Sequence, residues 1–199
     1  MIIKYPIEID GLGVVLFMGR SGCFYSKKIK KLLEKNSKKF YYFESNKIFE
    51  KIDKKYLKLN YDYIFCFRSF HILKNNILKK VNKAAINFHP GPPEYRGTGC
   101  VNYALYENSK FYGCTAHLIN EKVDNGKIID VKKFNINKKN SISEVLAKTY
   151  ETMFSLAIST IKNIKKNPDF VENQILKNKD MKWSNKIRIL KDLNNFYQI

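Results

Sequence analysis

The sequence predicts an α/β fold, a doubly wound and mostly parallel sheet in a single domain over residues 1–199. Three observations carry this. Leu12 to Met18 (LGVVLFM) and Tyr61 to Phe67 (YDYIFCF) are continuous apolar runs of strand length, the signature of strands buried on both faces. Such runs alternate with turn signals and helix-type patterns, the order that builds βαβ units. A chain of 199 residues, 44% hydrophobic, is large enough for one real core and shows no internal repeat or Gly/Ser-rich linker.

The first strand, Leu12 to Met18, ends at the turn Gly19-Arg20-Ser21-Gly22. Ser26 to Lys35 follows as a lysine-rich helix with Ile29, Leu32 and Leu33 facing inward. Phe40 to Phe43 is a short second strand, Ile48 to Leu59 a weak helix, and Tyr61 to Phe67 a third strand rich in β-forming residues. Ile72 to Leu78 reads as a short helix and Lys83 to Phe88 as the fourth strand. Further on, Gly99 to Glu107 is a helix, and Cys114 to Ile119 and Ile128 to Val131 are strands joined by a turn-rich connection. Ser141-Ile-Ser-Glu144 is a capping box opening a long amphipathic helix with Val145, Leu146, Met153, Leu156 and Ile161 inward. The tail from Pro168 is polar and broken up, and Trp183 within it implies that residues 168–199 pack back onto the domain.

Composition narrows the function. No apolar run reaches membrane-spanning length, and the N-terminal residues, with acidic Glu8 and Asp10, show no signal-peptide pattern. Cys23, Cys66, Cys100 and Cys114 are widely spaced without a CxxC pair, which reads as reduced thiols in a cytoplasmic protein. The net charge is +19, but the excess is almost all lysine, dispersed along the chain, with arginine only at positions 20, 68, 96 and 188. Dispersed lysine solvates a surface, so the charge weighs little for nucleic acid and suits an anionic small substrate. The sequence leaves oligomeric state open, a homodimer included.

The stretch that organises the chain is Ala84 to Gly97 (AAINFHPGPPEYRG). An apolar strand ends in Asn87-Phe88-His89, and Pro90, Pro92 and Pro93 forbid its continuation. Alternation along the strand puts Asn87 and His89 on one face. An amide donor and a titratable imidazole thus sit at the carboxyl end of a strand, the edge where open α/β sheets bind ligands. Asn87 can donate to an oxygen becoming negative, and His89 can do the same or relay a proton. Asp124, in Val-Asp-Asn-Gly, reads from spacing alone as a turn aspartate. If its loop folds over the same edge, its carboxylate would raise the His89 pKa and hold the ring. Gly19 to Gly22 is either a tight turn or a phosphate cradle, and a dinucleotide fingerprint is absent. His71 reads as a surface or capping residue, His117 as strand core, and three histidines without ligand spacing give no metal site. Cys100 near His89 lacks the orienting third group of a nucleophile pair.

INFHPGPPEYRGTG followed by YGCTAHLINEKVDNGKII resembles the core of the folate-dependent formyltransferases. The likeness runs roughly from Tyr61 to Val131. Trp183 to Leu193 is similar to the segment that closes the family's catalytic core. The resemblance implies a Rossmann-like formyltransferase fold, Asn87, His89 and Asp124 as catalytic trio, and N10-formyltetrahydrofolate as donor with no metal. It implies a pterin pocket lined by Ser69, Phe70, His71, Ile72 and Leu73 and by Asn120 and Val123, largely through backbone groups. Gly19, Ser21 and Gly22 match the place where the family's ribonucleotide enzyme holds its substrate phosphate. Tyr95, Arg96 and Tyr103 are candidates to meet the acceptor, with Tyr103 equally readable as a core residue. Gly91-Pro-Pro-Glu-Tyr-Arg-Gly97 looks most like the enzymes acting on nucleotide-linked amino sugars, whereas the ribonucleotide and tRNA enzymes have a Ser-Leu-Leu-Pro run. The chain also ends too early for the second domain of the tRNA enzyme.

The expected reaction is formyl transfer to the amine of a nucleotide sugar, with Asn87 and protonated His89 stabilising the oxyanion and Asp124 sustaining the imidazolium. Alternatives are transfer to glycinamide ribonucleotide or methionyl-tRNA, formyl-folate hydrolysis, or a basic nucleic-acid-binding domain without turnover.

Overall fold

The computed structural model describes residues 11–47 and 50–195. In chain order the elements are β1 (Val14–Arg20), α1 (Phe24–Asn36), β2 (Lys39–Ser45), α2 (Lys54–Leu57), β3 (Tyr61–Phe67), α3 (Asn75–Leu78), β4 (Val81–His89), β5 (Arg96–Gly97), α4 (Cys100–Tyr106), β6 (Phe111–Leu118), β7 (Ile128–Asn135), α5 (Ile142–Lys166), α6 (Phe170–Lys177) and β8 (Ile187–Arg188), then a 3₁₀ turn over Leu190–Asn195. The main sheet has six strands in the order β2-β1-β3-β4-β6-β7. The first four are mutually parallel, β6 runs antiparallel to β4, and β7 antiparallel to β6. This is the α/β, mostly parallel sheet that the sequence predicts.

Alternation along the central strands builds two cores. In β1, Val15 and Phe17 join the core beneath α1 and α5, while Leu16 and Met18 join the opposite one, which Leu73 and Ile77 complete. Both faces are dry, which is why β1 reads as an unbroken apolar run. A third cluster, including Tyr95, Val101, Tyr103, Tyr112 and Val145, sits under α4. The capping box of α5 forms as predicted: Ser141 Oγ accepts from Glu144 N, and Glu144 Oε2 accepts from Ser141 N. Val145, Met153, Leu156 and Ile161 are buried along it.

Several boundaries differ from the expectation. Of Ile48 to Leu59 only Lys54–Leu57 is helical, capped by the Asp53 side chain; residues 48 and 49 lie outside the described residues, as do the N-terminal residues 1–10. The helix expected from Ile72 begins only at Asn75; residues 69–73 are irregular and line a cavity wall. β6 starts at Phe111 and β7 continues to Asn135, since pairing from Phe111↔Asn135 to His117↔Ile128 extends both ladders past their apolar cores. The lysines of β7 are tolerated because it is an edge strand. After Pro168 the chain is more ordered than its composition suggests. It forms α6, Asn178 Nδ2 donates to Ile129 O (2.7 Å), Ser184 N donates to Pro93 O (2.9 Å), and β8 pairs with β5. Among the described residues no helix is long and apolar enough to cross a membrane.

Candidate active site

The sheet's carboxyl edge supplies the site. β1, β3 and β4 end there side by side, at Arg20, Phe67 and His89. Pro90 ends β4, and two hydroxyls pin the loop beyond: Tyr112 Oη donates to Pro90 O and Thr115 Oγ1 to Gly91 O, both at 2.8 Å. Phe88 points into the core under α5, so Asn87 and His89 face the other way.

Asp124 arrives on the β6–β7 connection. Its backbone is left-handed (φ 45°), a conformation Asp tolerates better than most residues. Arg96 fixes this loop by donating from Nε (3.0 Å) and Nη2 (2.7 Å) to Val123 O, and Gly97 N donates to Asp124 Oδ2 at 3.3 Å. Trp183 Nε1 donates to Gly126 O at 2.8 Å. The carboxylate thereby lies 3.3 Å from His89 Nδ1 and 3.5 Å from His117 Nε2, with all three side chains almost fully buried.

His117 is the residue that sequence reasoning missed. It was expected in the strand core and is indeed buried, but antiparallel pairing sets it directly opposite Asn87. Its Nδ1 lies 2.8 Å from Leu118 O, and its Nε2 lies 3.1 Å from Asn87 Nδ2. Asn87 thus meets His117 on one side while it lines the cavity on the other. The signal was the alternation of β6, in which Cys114 and Ala116 enter the core while Thr115 and His117 take the opposite face. Trp183 covers both imidazoles edge-on, its ring 5.0 Å from that of His117 and 5.7 Å from that of His89.

The protonation balance corrects one expectation. Burial pushes the His89 pKa down, Asp124 and the Tyr95 carbonyl push it up, and His117 pushes it down; the net is below the ordinary 6.5. Asp124 does raise it, as expected, but burial outweighs the carboxylate. Resting His89 is therefore neutral at neutral pH. Both its nitrogens nevertheless face oxygens, Nδ1 the carboxylate and Nε2 the Tyr95 carbonyl at 2.9 Å, so an arriving proton finds two acceptors in place. Burial raises the Asp124 pKa, but His89, His117 and the Gly97 N–H together overcome it and hold the carboxyl below its usual range. Burial pushes the Cys100 thiol up to about 12, which removes it as a nucleophile.

These groups line one wall of a cavity of about 670 Å³, within the range of small-molecule sites. Ser69, Phe70, His71, Ile72, Leu73, Asn120 and Val123 line another wall. Ile72 and Val123 are large apolar side chains left 52% and 49% exposed, a surface suited to the flat face of a heterocycle. This wall could hold a pterin. Tyr95, Arg96 and Tyr103 lie behind the cavity. Tyr95 Oη donates to Glu107, Arg96 is spent on Val123 O, and Tyr103 Oη donates to Ile189 O at 2.9 Å. At the first turn Arg20 lines the cavity, whereas Gly19, Ser21 and Gly22, expected at the substrate, are not among its lining residues.

Site and sheet define a ligand-binding α/β protein of the formyltransferase fold. The chain matches the Formyl transferase family over residues 18–161 and belongs to that family. It is 33% identical over 101 residues to the bifunctional polymyxin resistance protein ArnA of Wigglesworthia glossinidia brevipalpis, covering 50% of this chain and 15% of that one. It spans between 15% and 37% of the length of the first curated relatives it matches. Among solved structures it is similar to a sugar N-formyltransferase from Shewanella sp. FDAARGOS_354, with TM-score 0.66 and 20% identity over 94% of this chain and 80% of that one. It is also similar to the N-formyltransferase of Helicobacter canadensis in complex with folinic acid and dTDP-3-aminofucose, with TM-score 0.66 and 17% identity over 93% of this chain and 74% of that one.

Proposed function

We propose that this protein is an N-formyltransferase that moves a formyl group from N10-formyltetrahydrofolate to the amine of a nucleotide-linked amino sugar. The observation that carries the reading is the convergence of Asn87, His89 and Asp124 on the wall of the cavity, in a chain that belongs to the formyl transferase family. The Gly91 to Gly97 form of the loop and the Helicobacter canadensis complex support the acceptor class.

The donor supplies an electrophilic formyl carbon; the chain supplies the rest. The wall formed by residues 69–73 and 120–123 holds the heterocycle. Asn87 donates an amide hydrogen to the formyl oxygen as that oxygen gains charge. The Asp124–His89 pair on the cavity wall takes the proton that the attacking amine must lose, held as an imidazolium until the bond from the formyl carbon to N10 breaks and N10 of the departing tetrahydrofolate receives it. The resulting imidazolium donates to Asp124 and to the Tyr95 carbonyl, a stabilisation unavailable to an isolated buried ring. Trp183 and the buried surroundings exclude water, which favours the amine over hydrolysis.

The test is purified protein with N10-formyltetrahydrofolate and a panel of acceptors: UDP- and dTDP-linked amino sugars, glycinamide ribonucleotide, methionyl-tRNA and water alone, each scored for tetrahydrofolate release. Turnover with an amino-sugar nucleotide is expected. Release only with another acceptor, or with water, refutes the acceptor assignment.

A further inference from the structure

Two cavity residues, Arg20 and Arg68, have no part in the chemistry above. Arg20 ends β1, and Arg68 directly follows β3. β1 and β3 pair in parallel with Met18 opposite Cys66, so continuing the register sets Arg20 beside Arg68. Each guanidinium lies over an aromatic face: Arg20 Cζ is 4.2 Å from the centre of the Phe70 ring, and Arg68 Cζ is 3.8 Å from that of Tyr150. Arg68 Nη1 is also 3.6 Å from Cys23 Sγ. Neither guanidinium reaches a carboxylate among the described residues. The other two arginines are committed, Arg96 to Val123 O and Arg188 to Glu107.

Arg68 is held, moreover, in the left-handed region at φ 56°. A long side chain gains nothing there, and strain of this kind gathers at ligand sites. Two stacked, half-buried cations on the wall of a cavity, Arg68 engaged among the described residues only by the Cys23 sulfur and Arg20 by no carboxylate, form a site prepared for a dianion. The turn they flank opens α1, whose first turn carries no acidic side chain.

We infer that Arg20 and Arg68 form the subsite for the diphosphate of the acceptor, one fork to each phosphate. This rests on the proposed acceptor class and deepens it. Register supplies the distance argument. Phe67 pairs with Phe88, so Arg68 stands one strand from His89 and Arg20 two strands away, which is about 5 and 10 Å at ordinary strand spacing. Those are backbone spacings, and the three side chains line one cavity in which a pyranose ring can lie between them. An amine across the ring from the anomeric oxygen reaches His89 while the diphosphate rests on the arginines.

The experiment measures binding of UDP and dTDP, which carry no amine, and of folinic acid, which occupies the donor site, to the parent protein and to Arg20→Gln, Arg68→Gln and Arg68→Gly. Loss of one charged hydrogen-bonding partner should weaken binding of the better nucleotide by about 10- to 100-fold and weaken folinic acid by less, through the Phe70 wall on which Arg20 stacks. Where transfer is detected, KM for the sugar nucleotide should rise in parallel with little change in kcat. Arg68→Gly separates ligand binding from folding: glycine accepts φ 56° freely, so this variant should melt no lower than the parent while still losing nucleotide. Unchanged nucleotide binding in the variants, or a parent that binds neither nucleotide, overturns the inference. So does loss of folinic acid binding with nucleotide binding kept, which would assign the arginines to the carboxylates of the folate tail. Arginine-dependent nucleotide binding in a protein that formylates no sugar nucleotide supports the subsite and refutes the proposed reaction.

Discussion

Gly91→Ala tests how rigidly the catalytic imidazole is held. A Cβ built at position 91 lies 2.7 Å from His89 Nε2 and 2.7 Å from Tyr95 O, about 0.7 Å inside ordinary contact distance. Neither neighbour can yield easily. His89 is flanked by the Tyr95 carbonyl at Nε2 (2.9 Å) and by the Asp124 carboxylate at Nδ1 (3.3 Å), and the Pro90 and Gly91 carbonyls are tied to Tyr112 and Thr115. The φ of Gly91 is not positive, so alanine adds bulk without backbone strain. Overpacking of this kind costs about 1–3 kcal/mol, a fall in melting temperature of about 2–4 °C for each kcal/mol in a chain of this size. The larger effect should be on chemistry. Wedging the imidazole from Asp124 and Tyr95 by most of an ångström should reduce kcat by about 10- to 100-fold, with KM for the folate donor little changed. Steady-state kinetics beside a thermal melt measures both. A variant with kcat within twofold of the parent and an unchanged melt would show that the His89 pocket is not rigid, and the argument from preorganisation would fail.

Four further outcomes are expected. Asn87→Ala and His89→Ala should each lower kcat by about 10²–10³ while the circular dichroism spectrum stays that of the parent; near-parental turnover in either removes that residue from the chemistry. Asp124→Asn should lower the His89 pKa further, because the carboxylate is its main upward influence, and NMR titration of the imidazole would report a rise or no change as the contrary result. Arg96→Ala should free the loop bearing Asp124 and reduce kcat, and Arg96→Lys should restore little because lysine cannot reproduce the two-pronged hold on Val123 O; full rescue by lysine would refute the clamp. Stability should fall on acidification. The folded pKa of His89 lies below 6.5, so below pH 6.5 the unfolded chain binds the proton more readily than the folded one. The depressed carboxyl of Asp124 adds a second loss, beginning near its ordinary 3.8 and complete once pH passes below its folded pKa. Melting from pH 7 to pH 5 should show the first effect, and His89→Gln should flatten it; a parental melting temperature that rises toward pH 5 would contradict the neutral, buried imidazole.

The sequence by itself determined the α/β class, the strand ending in Asn87 and His89, and the cap of α5, because these rest on neighbours in the chain: apolar alternation, prolines that forbid a strand, and a serine three residues before a glutamate. Asp124 was a candidate only on the condition that its loop folds over the sheet edge, and the family resemblance strengthened it, since nothing local distinguishes it from a turn aspartate. The tertiary structure alone decided that Arg96 steadies the Asp124 loop from behind, that His117 meets Asn87 through antiparallel pairing of β4 and β6, and that Trp183 returns from the far end of the chain to cover both imidazoles. It also decided the sign of the His89 shift. Desolvation depends on how much protein surrounds a group from every direction, and strand pairing depends on partners dozens of residues away; neither quantity is written in any local stretch of sequence.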